Sequence, residues 1–341
     1  MRYPSFIKEG DTIGFAAPSF GCSFEPYRSA FNHSLEIWKK NGYQTELGPN
    51  CYASDGIGIS NTPEKCAAEF VQMYRSPSNQ AVLSCGGGEL MCEILDHIDF
   101  CEIASMPPKW FMGYSDNTNL TFLLTTMTDT ASIYGPNAGA FGMEPWHPSI
   151  QDAFNLLQGK KLHMSNYPFW EKESRKDEEH PLEPYCVTEK FKMIQYPESE
   201  ETFVKGRLLG GCLDCLAHLV GTRFDHVADF VEQYAEDGII WFLEACELNV
   251  FEIRRALWNL KEAGWFNHVR GFLIGRPGTW GESAPGLDQY TAVTGVLGDF
   301  GVPILMDLDI GHVAPMMPLI SGAMATVKAD SVSLHIQMEL I

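Results

Sequence analysis

Residues 110–127 read WFMGYSDNTNLTFLLTTM. Trp110 to Tyr114 form a short apolar run of strand length, and Asn119 to Met127 carry a helical pattern. Between them lies the turn Gly113-Tyr114-Ser115-Asp116. A strand that passes into a helix through a glycine-bearing turn is the repeating unit of a parallel sheet, and the chain upstream repeats it. Thr12 to Ala17 reads as a buried strand ending at Pro18-Ser19. Pro26 to Lys40 reads as a helix with Ala30, Leu35 and Trp38 on its apolar side, and Tyr43 to Leu47 as a strand. Thr62-Pro63 opens a helix to about Tyr74, since proline suits the first helical position. Ala81 to Ser84 is a further strand, followed by Gly86-Gly87-Gly88; Glu89 to His97 resumes a helical pattern, and Ser132 to Tyr134 adds a strand. Residues 1–143 are therefore expected to form an α/β domain with a doubly wound parallel sheet. Ligands of such sheets bind beyond the carboxyl ends of the strands, which directs attention to Ser19, the glycines from Gly86, Ser115 and Gly135.

Residues 144–204 change character. They are rich in Pro, Glu, Lys and aromatics, with Glu171 to Glu179 almost wholly charged. This stretch reads as a solvated connector or as a loop that covers an active site. Residues 205–341 read as a second, α+β domain of mixed and antiparallel strands. It begins with Gly206 to Gly211, continues with a helix from Cys212 to Val220, and has an apolar strand, Gly238 to Leu243, that ends at Glu244. Phe251 to Ala263 is a helix, Gly271 to Gly275 and Val302 to Met306 are strands, and Ala325 to Met338 alternates as one antiparallel strand would.

The chain has 341 residues, enough for two domains, and is 45% hydrophobic and 20% charged, which suits a folded core. Its net charge of −20 repels phosphate backbones and argues against nucleic-acid binding. A small anionic substrate remains compatible. No apolar run reaches the length of a bilayer, and Met1 to Ser5 is not followed by the apolar core of a signal peptide, so a cytoplasmic protein is expected. The ten cysteines show no disulfide framework. Cys212-x-x-Cys215 lacks a second pair and reads as structural thiols; His218 on the same helix would bring a zinc set to only three ligands.

Chemistry points first to Ser115. A tight turn at the strand end lifts its hydroxyl clear of the sheet and aims backbone N–H groups at it; the alternative role is a helix cap. Gly86-Gly87-Gly88 is either a tight turn or one half of an oxyanion hole. Glu89 stands where a phosphate loop would carry a lysine, which excludes that motif. A serine nucleophile needs a base. His312 lies in Asp309-Ile310-Gly311-His312-Val313-Ala314-Pro315, a loop past a strand, whereas His33, His97, His268 and His335 fall in regular patterns. A carboxylate should hold the second imidazole nitrogen. Glu244 closes the apolar strand Trp241-Phe242-Leu243, where a carboxylate must pair or face a cleft. Glu247 competes, with a helix N-terminal acid as its other role.

Taken in order, Ile13 to Ser19, Ser84 to Gly88, Gly113 to Asp116, Tyr134-Gly135-Pro136, Gly206 to Gly211, Phe242-Leu243-Glu244 and Gly311-His312 resemble the LD-carboxypeptidase family of serine peptidases. That family includes muramoyl-tetrapeptide carboxypeptidases and microcin C self-immunity peptidases. The resemblance implies a triad of Ser115, Glu244 and His312 and an oxyanion hole from the N–H groups of Asp116 and Gly87. It implies a flavodoxin-like N-terminal domain and a C-terminal domain that supplies Glu and His. It further implies a homodimer, no metal and no organic cofactor. The expected substrate is a cytoplasmic muropeptide, cut at an L,D-bond to release a terminal D-alanine in cell-wall recycling. The alternative is a peptidyl-nucleotide amide, with Trp170 as the residue stacking on the base. Two departures bear on substrate preference: Cys212 stands where relatives often have Asn, and Gly88-Glu89 replaces the Tyr type of glycine loop. A non-catalytic ligand-binding module is the third reading, and it predicts no labelling of Ser115 by a fluorophosphonate. Arg207, Arg223, Arg254, Arg255 and Arg276 are the candidates to hold a substrate carboxylate.

Overall fold

A computed structural model describes residues 1–341. The chain divides into two compact units, one of Met1–Lys161 with Glu173–Cys186, the other of Leu162–Lys172 with Val187–Ile341. All ten cysteines are free thiols. No helix is long and apolar enough to cross a membrane.

Unit 1 alternates strand and helix: β1 (Thr12–Ala16), α1 (Tyr27–Lys40), β2 (Gln44–Leu47), α2 (Pro63–Arg75), β3 (Ala81–Ser84), α3 (Phe100–Ser105), β4 (Trp110–Gly113), α4 (Thr118–Thr128), β5 (Ser132–Tyr134) and α5 (Pro148–Leu157). The strands run parallel in the order β2-β1-β3-β4-β5. That order is flavodoxin-like and doubly wound. β3 and β4 are buried along their whole length, as strands covered on both faces must be. α1 buries Ala30, Phe31, Ser34, Leu35 and Trp38, the stripe a 3.6-residue period prescribes. Pro63 occupies the first turn of α2, and the Asp99 carboxylate caps α3 through the amides of Cys101 and Glu102. The stretch from Glu89 that reads as helical becomes a 3₁₀ run, Met91–His97.

Unit 2 carries β6 (His163–Ser165), β7 (Phe169–Glu171), β8 (Val187–Lys190), β9 (Ile194–Tyr196), β10 (Thr202–Cys212), α6 (Leu213–Leu219), α7 (Val227–Gln233), β11 (Ile239–Glu244), α8 (Val250–Glu262), β12 (Val269–Gly275), β13 (Ser283–Ala284), β14 (Leu287–Asp288), α9 (Gln289–Leu297), β15 (Ile304–Leu308), β16 (Leu319–Ser321), β17 (Met324–Ala329) and β18 (Leu334–Glu339). Its large sheet has the order β6-β18-β17-β10-β11-β12-β15-β9. β10, β11, β12 and β15 form a parallel centre, and antiparallel strands extend it on both sides. The fold is thus α/β, with a mixed sheet in the second unit. β11, the apolar IIWFLE, is buried at every residue. A capping box at Asn249 and Glu252 starts α8, and Asp288 with Thr291 starts α9. The segment Ala325 to Met338 is not one strand: it folds back on itself as β17 and β18, because Asp330 accepts from Val332 and Ser333 and builds a turn. Residues 144–204, read as a connector or a covering loop, contain α5, β6 to β9 and the start of β10.

Candidate active site

In unit 1, β4 ends at Gly113 and the chain turns at once. Tyr114 is extended, and Ser115 adopts φ 65° at the head of a 3₁₀ turn, Ser115–Asn117. Left-handed backbone at a serine costs about 1–3 kcal/mol and persists only where the surroundings impose it. Here they do. A side chain on Gly113 would stand 2.9 Å from Asn117 Cβ, so a glycine must precede the turn. Asn117 in turn donates through Nδ2 to Gly86 O (2.8 Å) and Tyr114 O (3.1 Å). The amide of Ser115 meets Tyr134 Oη at 3.4 Å.

The glycine loop after β3 lies alongside. A methyl group on Gly87 would stand 3.0 Å from both Cβ and Oγ of Ser115. Ser84 Oγ (3.0 Å) and Asn117 Nδ2 (2.8 Å) both donate to Gly86 O. In a trans peptide the C=O and N–H point opposite ways, so fixing Gly86 O also fixes the direction of the Gly87 N–H. Phe20 N donates to Gly87 O at 2.7 Å and locks the next peptide. Asp116 follows the serine. Its carboxylate accepts from Ser19 Oγ (2.5 Å), Met91 N (3.0 Å) and Asn119 Nδ2 (3.1 Å). Burial outweighs those bonds and pushes its pKa up to about 6.

In unit 2, all four parallel strands carry a polar or ionisable side chain at or just past their carboxyl ends: Cys212, Glu244, Arg276 and His312. Cys212 stands opposite Glu244 in the β10–β11 register. Glu244 is 1% exposed, and its Oε2 lies 2.8 Å from Nδ1 of the half-buried His312. Burial pulls the imidazole down, but the Glu244 charge, helped by Cys246, outweighs it and holds His312 well above its ordinary range. Two glycines make the pair possible. Gly311 has φ 94°, and a Cβ there would fall 2.4 Å from the Glu244 carboxylate; a Cβ on Gly275 would fall 2.9 Å from Glu244 Cβ.

The strand ends are tied from behind. Arg276, 1% exposed, donates to Asp307 O at 2.6 Å and pairs with the Asp309 carboxylate. Asp309 also accepts from Tyr167 N at 2.8 Å, and Met317 N donates to Asp309 O at 2.7 Å. These bonds fix both sides of the loop that carries His312. Trp170 is 6% exposed; Arg276 sits over its ring at 5.1 Å and Trp280 packs edge-on at 5.1 Å. The other arginines singled out in the sequence have structural partners: Arg207 binds Asp237 and Gly322 O, Arg254 binds Thr291 O, Arg255 lies 3.8 Å from Glu252, and Arg223 covers Phe224.

The structure thus brings Ser115 to Gly87 within unit 1, and Glu244 to His312 within unit 2. Sequence reading passed over Asn117, Arg276 as a clamp, Cys246, and the steric reason for Gly311. Asn117 carried a signal: an Asn two residues after a strand-end serine, with a glycine four residues before it.

The chain matches two family descriptions, the LD-carboxypeptidase N-terminal domain over residues 13–135 and the LD-carboxypeptidase C-terminal domain over residues 205–327. It is 27% identical to a Bacillus subtilis protein named "Probable murein peptide carboxypeptidase", over 95% of this chain and 91% of that protein. It is 25% identical to the microcin C7 self-immunity protein MccF of Escherichia coli, over 96% and 93%. The solved structure of MccF in complex with glutamyl sulfamoyl guanosine shares the fold, with a TM-score of 0.81 at 23% identity and 98% of each chain covered.

Proposed function

Because the chain belongs to the LD-carboxypeptidase family, a family of peptidases, we propose that it is a cytoplasmic serine carboxypeptidase that hydrolyses an L,D-peptide bond and releases a terminal D-amino acid from muropeptides. The observation that carries the reading is the 2.8 Å bond from His312 Nδ1 to the buried Glu244 carboxylate. An imidazole so held presents Nε2 as a base and is stabilised once it takes a proton.

In this reading Ser115 Oγ attacks the carbonyl carbon and His312 accepts the hydroxyl proton on Nε2. Glu244 keeps the ring in the productive tautomer and balances the imidazolium. The tetrahedral oxyanion is held by the N–H groups of Gly87 and Asp116, the first aimed by Asn117 through Gly86 O. His312 then returns the proton to the leaving amine, and water attacks the acyl-enzyme with the same base. A homodimer and the muropeptide-recycling role belong to this proposal, as does the assignment of roles to the five residues.

The second reading keeps the chemistry and exchanges the substrate for a peptidyl-nucleotide amide. It is favoured by MccF, which is similar over nearly the whole chain and whose structure holds a nucleotide-linked ligand. Trp170 would then need to leave Arg276 and Trp280 to stack on a base. The deciding experiment is mass spectrometry of products from an L,D-linked tetrapeptide muropeptide and a peptidyl-nucleotide amide offered side by side. Loss of one D-alanine from the muropeptide is the expected result. Cleavage of the nucleotide amide alone would overturn the substrate assignment, and cleavage of neither would overturn the hydrolase.

A further inference from the structure

Three chemically different donors converge at the strand ends of unit 2. One ligand atom each from Cys212, Glu244 and His312, all within 4.8 Å of one another, forms a group able to hold a metal ion. Two more thiols border it: Cys246 contacts the His312 imidazole, and Cys215 contacts the Cys212 thiol. Sulfur, imidazole nitrogen and carboxylate oxygen together are the donor set of a borderline-soft divalent cation, zinc above all, and not of magnesium or calcium.

The fit can be tested on distances. In a tetrahedral zinc site with bonds of about 2.0–2.3 Å, neighbouring ligand atoms stand about 3.3–3.6 Å apart. The Glu244–His312 contact of 2.8 Å would open slightly to admit the ion, and the Cys212 sulfur would close in from within 4.8 Å. Asp214 fixes the thiol in place. Its Oδ2 accepts from Cys212 Sγ at 3.2 Å and from Cys246 N at 2.9 Å, and its Oδ1 accepts from Glu247 N at 2.9 Å. A fixed second layer of this kind is what orients metal ligands.

We propose that Cys212, Glu244 and His312 form a reversible zinc-binding site, with solvent in the fourth position, and that zinc there switches the hydrolase off. On binding, the Cys212 thiol releases its proton to solvent and its sulfur bonds the ion. The imidazole gives up its Nδ1 proton, to solvent from the imidazolium or to Nε2 from the neutral ring, and Nδ1 and the carboxylate then coordinate the ion in place of their hydrogen bond, which leaves Nε2 carrying hydrogen. An imidazole engaged in this way no longer serves as the base for Ser115. The inhibitory half of the proposal rests on the proposed function; the binding half does not.

The test uses the full chain, first stripped with a chelator, then titrated with Zn²⁺ alone and, as an optical probe, with Co²⁺ alone. One ion per chain should bind, and Co²⁺ should show the intense thiolate-to-metal absorption of a cysteine ligand. Cys212→Ala should abolish that absorption and weaken Zn²⁺ binding by more than about 100-fold, since losing a ligand costs more than losing a second-layer partner. Glu244→Gln should weaken it too while keeping the absorption, which guards against a misfolded Cys212 variant. Hydrolysis by the wild-type chain should fall to background at one equivalent of Zn²⁺ and return with chelator. Wild-type Co²⁺ binding without the thiolate band, binding that Cys212→Ala leaves unchanged, or full hydrolysis at saturating Zn²⁺ would overturn the proposal. A bound ion in a chain that cleaves neither substrate would instead sink the hydrolase reading and leave the site standing.

Discussion

In unit 1 the backbone does the positioning. Ser115 is held at φ 65° by Gly113, Asn117 and the apposed Gly87. In unit 2 the charged groups do it. Glu244 and His312 hold each other at 2.8 Å, Arg276 and Asp309 anchor the loop, and the glycines merely make room. The two regions therefore answer differently to the same kind of damage. A backbone-built site should tolerate loss of a side chain in stability and fail in chemistry. A charge-built site, buried and coupled, should lose both together, because an abandoned buried charge is costly.

On the proposed mechanism, the widest break is at Ser115 and His312. Ser115→Ala and His312→Ala should each lower kcat by about six orders of magnitude, and the double variant should be no worse than either alone, since the residues act as one unit. Additive losses in the double variant would separate the two. Stability should distinguish them: the melting temperature should stay put for Ser115→Ala and fall for His312→Ala, which leaves the Glu244 carboxylate buried without its partner ring.

A smaller and sharper comparison substitutes one methyl group in each region. Gly311→Ala forces a side chain into left-handed backbone and against the Glu244 carboxylate. It should cost about 2–3 kcal/mol of stability and disorder the pair. Gly87→Ala places its methyl 3.0 Å from both Cβ and Oγ of Ser115, so the glycine loop must give by a few tenths of an ångström. It should lower kcat by up to about 100-fold with little change in melting temperature, because the displaced Gly87 N–H no longer meets the oxyanion of the proposed mechanism. Equal melting curves for the two variants would erase the distinction.

A comparison of similar size, spread over pH, concerns Asp116, the buried charge of the backbone-built region. Burial raises its pKa from 3.8 to about 6, so the folded state holds this proton more tightly than the unfolded state. Its contribution to stability is full below about pH 3.8 and is lost as the pH rises through about 6, in all about 3 kcal/mol. Asp116→Asn removes the titration. The stability difference between wild type and variant, measured by urea unfolding, should therefore shift by that amount against the wild type between about pH 3.5 and pH 6.5. Parallel curves would show that the carboxyl is hydrated.

Unit 1 was legible because its order is local. Each strand and its following helix lie within about thirty residues, and β1, β3, β4 and the helix α1 fall where period and punctuation put them. The Ser115 turn was visible for the same reason. The strands of residues 162–204 were not, because their partners are remote in sequence: β6 pairs with β18 through Met164 and Ile336, and β9 pairs with β15 through Ile194 and Met306. No local pattern announces such pairing. The β17–β18 turn leaves one mark in the sequence, the adjacent polar pair Asp330-Ser331 that shifts the phase of the alternation. Glu244 and His312 were candidates by residue type, but their 2.8 Å contact joins positions 68 residues apart, and only folding reveals it.

The backbone passes from one unit to the other three times, after Lys161, Lys172 and Cys186. No single recombination breakpoint can exchange either unit for that of a homologue, and one proteolytic nick cannot release either as an intact body. Gene fusion and shuffling must treat the whole polypeptide as the inheritable module, which ties the ancestry of the serine to that of its histidine.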